Sequence, residues 1–410
     1  MSLFAWFGSR LQNSQHHMEL KEKIKSLSQS YLSEIKGFRR HLHANPELSF
    51  HEFETSKFIK SKLDEWGVSY KDGFVKTGIV AKIEGQNPDK KTIALRGDMD
   101  ALPIKEENEV EYKSTNEGVM HACGHDVHTS CLLGATKILN ELKSEIEGTY
   151  LLLFQPGEEK LPGGASLMLK EGALENPSPQ AIFGQHVFPD LEMGKVGFRS
   201  GSYMASCDEV FLTIKGKGGH GAMPHKIVDP VLITAHVLVA VQQLVSRMSN
   251  PETPTVLSFG DVHAHGATNV IPNEVKLEGT FRTFDEEWRD EAHQKIEKLI
   301  TGLVESMGGT CDLRIDRGYP SLFNDEITTD KARRQAEEFL GKENVVELPR
   351  RMTAEDFSYY SQKFPATFYR LGTANSEKGI NSPVHTSTFD IDEQALEIGM
   401  GLLAWIAVNS

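Results

Sequence analysis

The stretch HACGHDVH, residues 121–128, sets a thiol (Cys123) and an imidazole (His125) two residues apart in a glycine-containing loop before a helical pattern. A thiolate and an imidazole in one loop suit a borderline-soft divalent ion such as zinc. The same residue types also serve as caps and packing groups, and on this stretch alone both readings stand. QPGEEK, residues 155–160, follows the apolar run Thr149–Phe154 and puts Glu158 beside Glu159. Adjacent side chains diverge, so one carboxylate can hold a metal while its neighbour faces a reacting water as a base. A solvated acidic turn is the rival reading. The apolar strand before the pair and Gly163-Gly164 after it favour a site, because open α/β sheets place their sites at strand carboxyl ends. His186 in GQHVFP and His385 in NSPVHTST are, singly, ordinary loop histidines.

Together, Cys123, His125, Glu159, His186 and His385 supply five metal-ligand groups, one more than a closed tetrahedral site needs. Two ions sharing a ligand therefore become plausible. RGDMDALP adds Asp98 and Asp100 at another strand end, and carboxylates of that kind commonly orient a metal-bound imidazole from behind.

The elements that must position these groups are legible by period. Ile24, Leu27, Leu32, Ile35, Phe38 and Leu42 form one helical stripe that Pro46 stops. Ser49 and Glu52 have capping-box spacing before a helix ended by Gly67. Strands at 78–84, 92–95, 149–154 and 181–184 alternate with helices such as 128–143, which argues for an open α/β sheet flanked by helices. Near residue 205 the pattern changes. Strands at 209–215, 255–262, 274–284 and 311–315 and helices at 230–248 and 286–307 give the order βαββαβ of a ferredoxin-like α+β unit. Asp229 is the expected N-cap of the helix opening at Pro230. The predicted organisation is a domain of 19–204 and 319–410, an inserted domain at 205–318, and a tail at 1–18.

Composition narrows the function. Fifty-eight Asp and Glu against 44 Lys and Arg give a net charge of −14, which argues against nucleic acid or an anionic membrane as the main partner. No run is expected to approach the ~20 apolar residues of a membrane span. Residues 3–7 are too few for a signal-peptide core of ~7–15. Four cysteines are too sparse for a disulfide scaffold, so a reduced, cytoplasmic protein is expected.

RGDMDALP, HACGHDVHTS, QPGEE, GQHVFP, GGHGAMPH, TNVIPNE and PVHTSTFD, with HLHANPELSFHEFET near the start, resemble the aminoacylase/carboxypeptidase superfamily of metal-dependent exopeptidases. The branch they resemble includes hippurate hydrolases, N-acyl-amino-acid amidohydrolases and auxin-conjugate hydrolases, and the motifs run in order from about residue 39 to 390. The resemblance implies a zinc-exopeptidase-like fold whose inserted domain is a lid and homodimer interface. It implies two divalent ions per subunit (zinc, manganese, cobalt or nickel) on Cys123, His125, Glu159, His186 and His385, with Glu158 as general base. Asp98 and Cys123 stand where the broader superfamily has a His and a bridging Asp, and Cys123 is taken as the bridging ligand. His220 matches a lid histidine that reaches the neighbouring subunit's site. Asn269 and Arg282 match residues that hold the substrate carboxylate, although on the residues alone a turn Asn and a surface ion-pair Arg are the better readings.

The expected reaction is hydrolysis of the amide of an N-acyl amino acid by a metal-activated water, with a dipeptidase or carboxypeptidase as the alternative. Two other classes compete. In a cysteine hydrolase, Cys123 would be the nucleophile and chelators would leave activity intact. A catalytically silent binding protein would lack a base, and the presence of Glu158 counts against it.

Overall fold

Thr149–Gln155 and Ala366–Ala374 are buried along their whole lengths, as central strands covered on both faces must be. In the computed structural model, which describes residues 3–410 and side chains from Gln15 onward, they belong to an eight-stranded mixed sheet. Its order is Ser69–Phe74, Gly78–Glu84, Thr149–Gln155, Thr92–Asp98, Ala181–Glu192, Ala366–Ala374, Val196–Phe198, Val345–Glu347. The four central strands from Thr149 to Ala374 in that order run parallel. Thr92–Asp98 has its successor strand on one side and the next on the other, so the connections diverge at its carboxyl end. Such a switch point opens the crevice in which α/β sheets bind ligands.

Helices Leu3–Ala44, His125–Glu141 and Ala395–Asn409 pack on one another and on the sheet. Ala395–Asn409 is apolar on all sides because it is enclosed on all sides. The first helix presents Ile24, Ile35 and Phe38 to the core, as the stripe predicts, and Leu20 extends the stripe by a turn. Residues 3–18, set apart from the sequence as a tail, continue that helix, and residues 1 and 2 lie outside the described residues.

The chain divides into two compact units. The larger holds the chain up to Gly201 with Phe323–Pro349 and Tyr359–Ser410; the smaller holds Ser202–Leu322 with Arg350–Ser358. Segment 350–358, assigned from sequence to the larger domain, groups with the smaller. Arg351 N–H donates to Tyr203 O (2.9 Å), Ala205 N–H to Arg351 O (3.1 Å) and Arg282 Nη1 to Met352 O (3.2 Å). The smaller unit is a four-stranded antiparallel sheet, ordered Thr255–His263, Glu274–Thr283, Asp208–Lys215, Thr310–Arg317, with helices Pro230–Ala240 and Glu286–Ser306. Asp229 caps the first of these by accepting from Val231 and Leu232 N–H.

Two local expectations are corrected. Pro230–Met248 is long and apolar enough, by length and composition, to cross a membrane. Its α-helix Pro230–Ala240 continues into a π-helical turn at Leu244–Met248, and Ile233, Val237, Val241 and Leu244 line the core of the smaller unit. The Ser49/Glu52 capping box does not form. Glu47 caps the helix Phe53–Glu65 instead, accepting from Glu54 and Thr55 N–H (3.1 and 2.8 Å), which frees Ser49 and Glu52 for other partners.

One buried cation joins the first helix to two other segments of the larger unit. Fully buried Arg39 donates through Nε to Asp126 (2.8 Å) and through Nη2 to Asp390 (2.7 Å). His43 adds a contact of 2.8 Å from Nδ1 to Asp126. Removing one partner of such a pair leaves a buried charge uncompensated, so Arg39→Met is expected to lower stability by about 3–5 kcal/mol in urea unfolding. A loss under about 1 kcal/mol would show that Asp126 does not depend on it.

Candidate metal centre

Asp98 and Gln155 are register partners at the carboxyl ends of neighbouring parallel strands, and the turn carrying Glu158 and Glu159 follows directly. His186 lies inside Ala181–Glu192, a strand that continues past the predicted end at Gly184. His125 is the first residue of the helix His125–Glu141. That helix can start there because Gly124 holds φ +81°, where an added Cβ would lie 2.5 Å from Val187 Cγ2. His385 itself holds φ +63°, a sparsely populated conformation for a residue with a side chain, and its N–H donates to Ala122 O (2.7 Å).

All five predicted ligand groups converge. Cys123 Sγ is 3.4 Å from His186 Nε2 and 3.3 Å from His385 Nε2. His385 Nε2 is 3.0 Å from Glu159 Oε1 without hydrogen-bond alignment, and His125 Nε2 is 4.0 Å from the same oxygen. Drawn from these five residues alone, two groups of donors emerge, Cys123–His125–His186 and Cys123–Glu159–His385, each with all ligand atoms within 4.8 Å of one another. Cys123 is common to both.

The imidazole tautomers follow from their partners. His186 Nδ1 is 2.8 Å from Val187 O, which only accepts, so the proton sits on Nδ1 and the Nε2 lone pair faces Cys123. His125 Nδ1 is 3.2 Å from Asp100 Oδ1, which leaves Nε2 buried with no hydrogen-bond partner. Glu159 Oε1 is buried and unpartnered in the same way. Buried polar atoms are normally satisfied, so two orphans aimed at one space fit a cation there.

Charge points the same way. Burial alone would lower the His125 imidazolium, yet Asp98, Asp100 and Glu159 push it up to about 10. Burial, reinforced by Glu159, Glu158 and Asp98, raises the Cys123 thiol well above its ordinary value. The cluster carries more negative charge than its histidines balance.

Asp98 and Asp100, predicted to support ligands from behind, have distinct tasks. Fully buried Asp98 accepts from Arg96 Nη1 (2.5 Å) and lies 2.6 Å from His128 Nδ1. Burial would raise its carboxyl, but Arg96, His125 and His128 together hold it well below the usual range. Asp100 takes Ser49 Oγ (2.6 Å), Glu158 N–H (3.0 Å) and Glu159 N–H (2.9 Å), besides facing His125. Glu158 is buried, with Oε2 4.0 Å from His125 Nε2.

The other three predicted residues lie in the smaller unit. His220 and Val270 pair across a two-stranded ribbon, and Gly221 N–H donates to Asn269 O (2.9 Å), so His220 and Asn269 are neighbours and both exposed. Arg282 is half-buried on Glu274–Thr283.

Sequence reasoning missed His128, Arg96, Ser49 and Glu52. Val187 N–H donates to His128 Nε2 (2.9 Å), so His128 joins Asp98 to the strand bearing His186. A third histidine in HACGHDVH was the available signal. Ser49 and Glu52 lay in HLHANPELSFHEFET, where capping spacing offered a sufficient but incorrect explanation.

A family model described as peptidase family M20/M25/M40 matches residues 94–409. The chain belongs to this family. M20 members are metal-dependent hydrolases, and the curated names of this chain's relatives agree. An N-acyl-L-amino acid amidohydrolase of Geobacillus stearothermophilus is 44% identical over 304 residues, covering 74% of this chain and 81% of the relative. Thermostable carboxypeptidase 2 of Saccharolobus solfataricus is 36% identical over 395 residues, covering 96% and 99%. The crystal structure of the Bacillus subtilis YXEP protein, described as a dinuclear metal-binding peptidase of the M20 family, aligns with TM-score 0.80 at 33% identity, covering 93% and 98%.

Ligands bind metals as neutral imidazole and thiolate, whereas the ion-free cluster holds protons on His125 and Cys123. Metal uptake near pH 7.5 is therefore expected to release about two protons, and affinity to rise with pH. Calorimetric titration with Zn²⁺ in buffers of different ionisation enthalpy measures the number. Uptake without proton release would mean the ions bind elsewhere.

Proposed function

We propose that this M20 chain hydrolyses the amide bond of N-acyl amino acids, releasing a carboxylate and a free amino acid. The observation that carries this reading is the pair of donor groups sharing Cys123, with Glu158 buried beside them. Cys123, His125, His186, Glu159 and His385 would hold two divalent ions, with Cys123 within reach of both groups of donors. Asp98 is less suited to hold an ion, because Arg96 and His128 already occupy its two oxygens. When bound, the ions supply Lewis acidity and bring a water's pKa toward ~7. Glu158 takes the proton of the attacking water and returns it to the departing nitrogen. Asp100 keeps Glu158 and Glu159 aimed by holding both backbone N–H groups. Arg282, a planar donor fork, and Asn269 hold the substrate carboxylate.

The relative named N-acyl-L-amino acid amidohydrolase supports the substrate class, and the relative named carboxypeptidase keeps short peptides as the competing substrate. A panel of hippurate, N-acetyl amino acids, their amides and dipeptides separates them. N-acyl amino acids with a free carboxylate are expected to be cleaved fastest, and faster turnover of dipeptides would reassign the enzyme. On the best substrate, Glu158→Gln is expected to lower kcat by ~10²–10⁴-fold with metal content unchanged. Loss of metal in that variant would exchange the roles of Glu158 and Glu159.

We further propose a cytoplasmic homodimer formed through the smaller unit, with His220 serving the partner's site. Val231, Leu232 and Val239 of its first helix are 40%, 53% and 77% exposed, an apolar face that association would cover. Mixing inactive His220→Ala and Glu158→Gln proteins under subunit exchange tests this. Half the dimers become mixed, each with one intact composite site, so activity returns to about a quarter of wild type. No recovery, with exchange confirmed, would mean His220 serves its own chain.

A further inference from the structure

Three consecutive backbone N–H groups of the turn Pro156–Glu159 point at two buried carboxylates. Those of Glu158 and Glu159 donate to Asp100, as described. That of Gly157 donates to Glu52 Oε1 (2.8 Å). The same oxygen receives Phe50 N–H (2.8 Å), and Glu52 Oε2 receives Thr77 Oγ1–H (2.9 Å). Glu52 is fully buried, so each of these bonds is made away from competing water. Two backbone conformations depend on this arrangement. Gly157 holds φ +63° beneath the Phe50 ring, where a Cβ would lie 2.3 Å from Phe50 Cε1, and Phe50 itself holds φ +66°. Such conformations persist when the surroundings over-determine them.

We infer that Glu52 is a positioning residue for the reaction: its carboxylate clamps Gly157 and Phe50 and so fixes the turn from which Glu158 and Glu159 project. The inference rests on the roles proposed for Glu158 and Glu159. Glu52 touches neither substrate nor reacting atoms. It acts through the amide of Gly157, one residue before the base, where a small backbone rotation swings both carboxylates. Thr77 fixes which oxygen faces the turn. The requirement is for a buried acceptor of this length and not for a charge: a glutamine can keep its carbonyl oxygen on Gly157 and Phe50 and turn its amide to Thr77, whose hydroxyl also accepts.

The test compares Glu52→Gln, Glu52→Ala and Thr77→Val with wild type. Hydrogen–deuterium exchange of the metal-free proteins reads the turn directly, and zinc affinity from competition with a chelator reads Glu159. Steady-state kinetics on the best N-acyl amino acid read Glu158. Glu52→Ala is expected to speed exchange across residues 155–160, to weaken zinc binding ~10–100-fold, and to lower kcat by a similar factor with KM within about twofold. Glu52→Gln is expected to stay within about threefold of wild type in all three. Thr77→Val should fall between them while leaving the chain folded. Unchanged exchange and kcat in Glu52→Ala would overturn the inference, as would Glu52→Gln matching Glu52→Ala. Should wild type cleave no N-acyl amino acid, the functional reading fails, while exchange and zinc affinity still decide the clamp.

Discussion

One sulfur atom faces two imidazole nitrogens at 3.3 and 3.4 Å, and in both ring orientation and charge its surroundings are arranged around that approach. A buried thiol beside three carboxylates resists ionisation, so on its own the cluster is a poor home for a thiolate. A dication reverses the balance, because it favours every deprotonated donor at once. The rest of the architecture engages the ligands from behind. Val187 O takes one His186 proton, Asp100 faces one nitrogen of His125, and Asp98 is neutralised by Arg96 and His128. Each of these contacts removes an internal partner that a ligand atom would otherwise capture.

Those contacts explain why the scaffold is so polar at its centre. Arg39, Arg96, Asp98 and His128 sit on the first helix, the strand Thr92–Asp98 and the helix His125–Glu141, elements whose core-facing side chains are otherwise mostly apolar and tightly packed. Arg39 illustrates the constraint. It reaches Asp126, the neighbour of His125, and Asp390, five residues beyond His385, so one guanidinium sets the spacing of two segments that each carry a proposed ligand. Packing supplies the rigidity, and the buried ion pairs supply the register.

The strands and helices were legible because their periods were clean, and the proposed ligands because Cys, His and Glu recurred at strand ends. Of the central strands, Thr149–Gln155 emerged near its expected limits, since a fully apolar run admits few alternatives, whereas Ala181–Glu192 continues well past Gly184 and Ala366–Ala374 had not been singled out. Legibility failed where one residue type serves two purposes. Ser49 and Glu52 satisfy the spacing of a helix cap, and spacing cannot reveal that Glu47 does the capping from outside the pattern. His128 looked like the start of a helix because its role depends on Val187, a residue 59 positions away. Residues 350–358 were assigned to the wrong unit for the same reason: backbone bonds to Tyr203 and Ala205 leave no trace in local composition.

The two donor groups differ sharply in access to solvent. His125 is fully enclosed and His186 is 7% exposed, whereas the His385 side chain is 51% exposed on a loop. A position bounded by Cys123, His125 and His186 can exchange its occupant only when packed structure opens, while the one bounded by Glu159 and His385 is gated by a single loop. In the proposed arrangement, then, ions held at the two positions would have separate lifetimes. An ion held at the inner position would behave as part of the fold and one at the outer position as a reagent replaced from solution, so the metal in use would be decided by supply at one position and by history at the other.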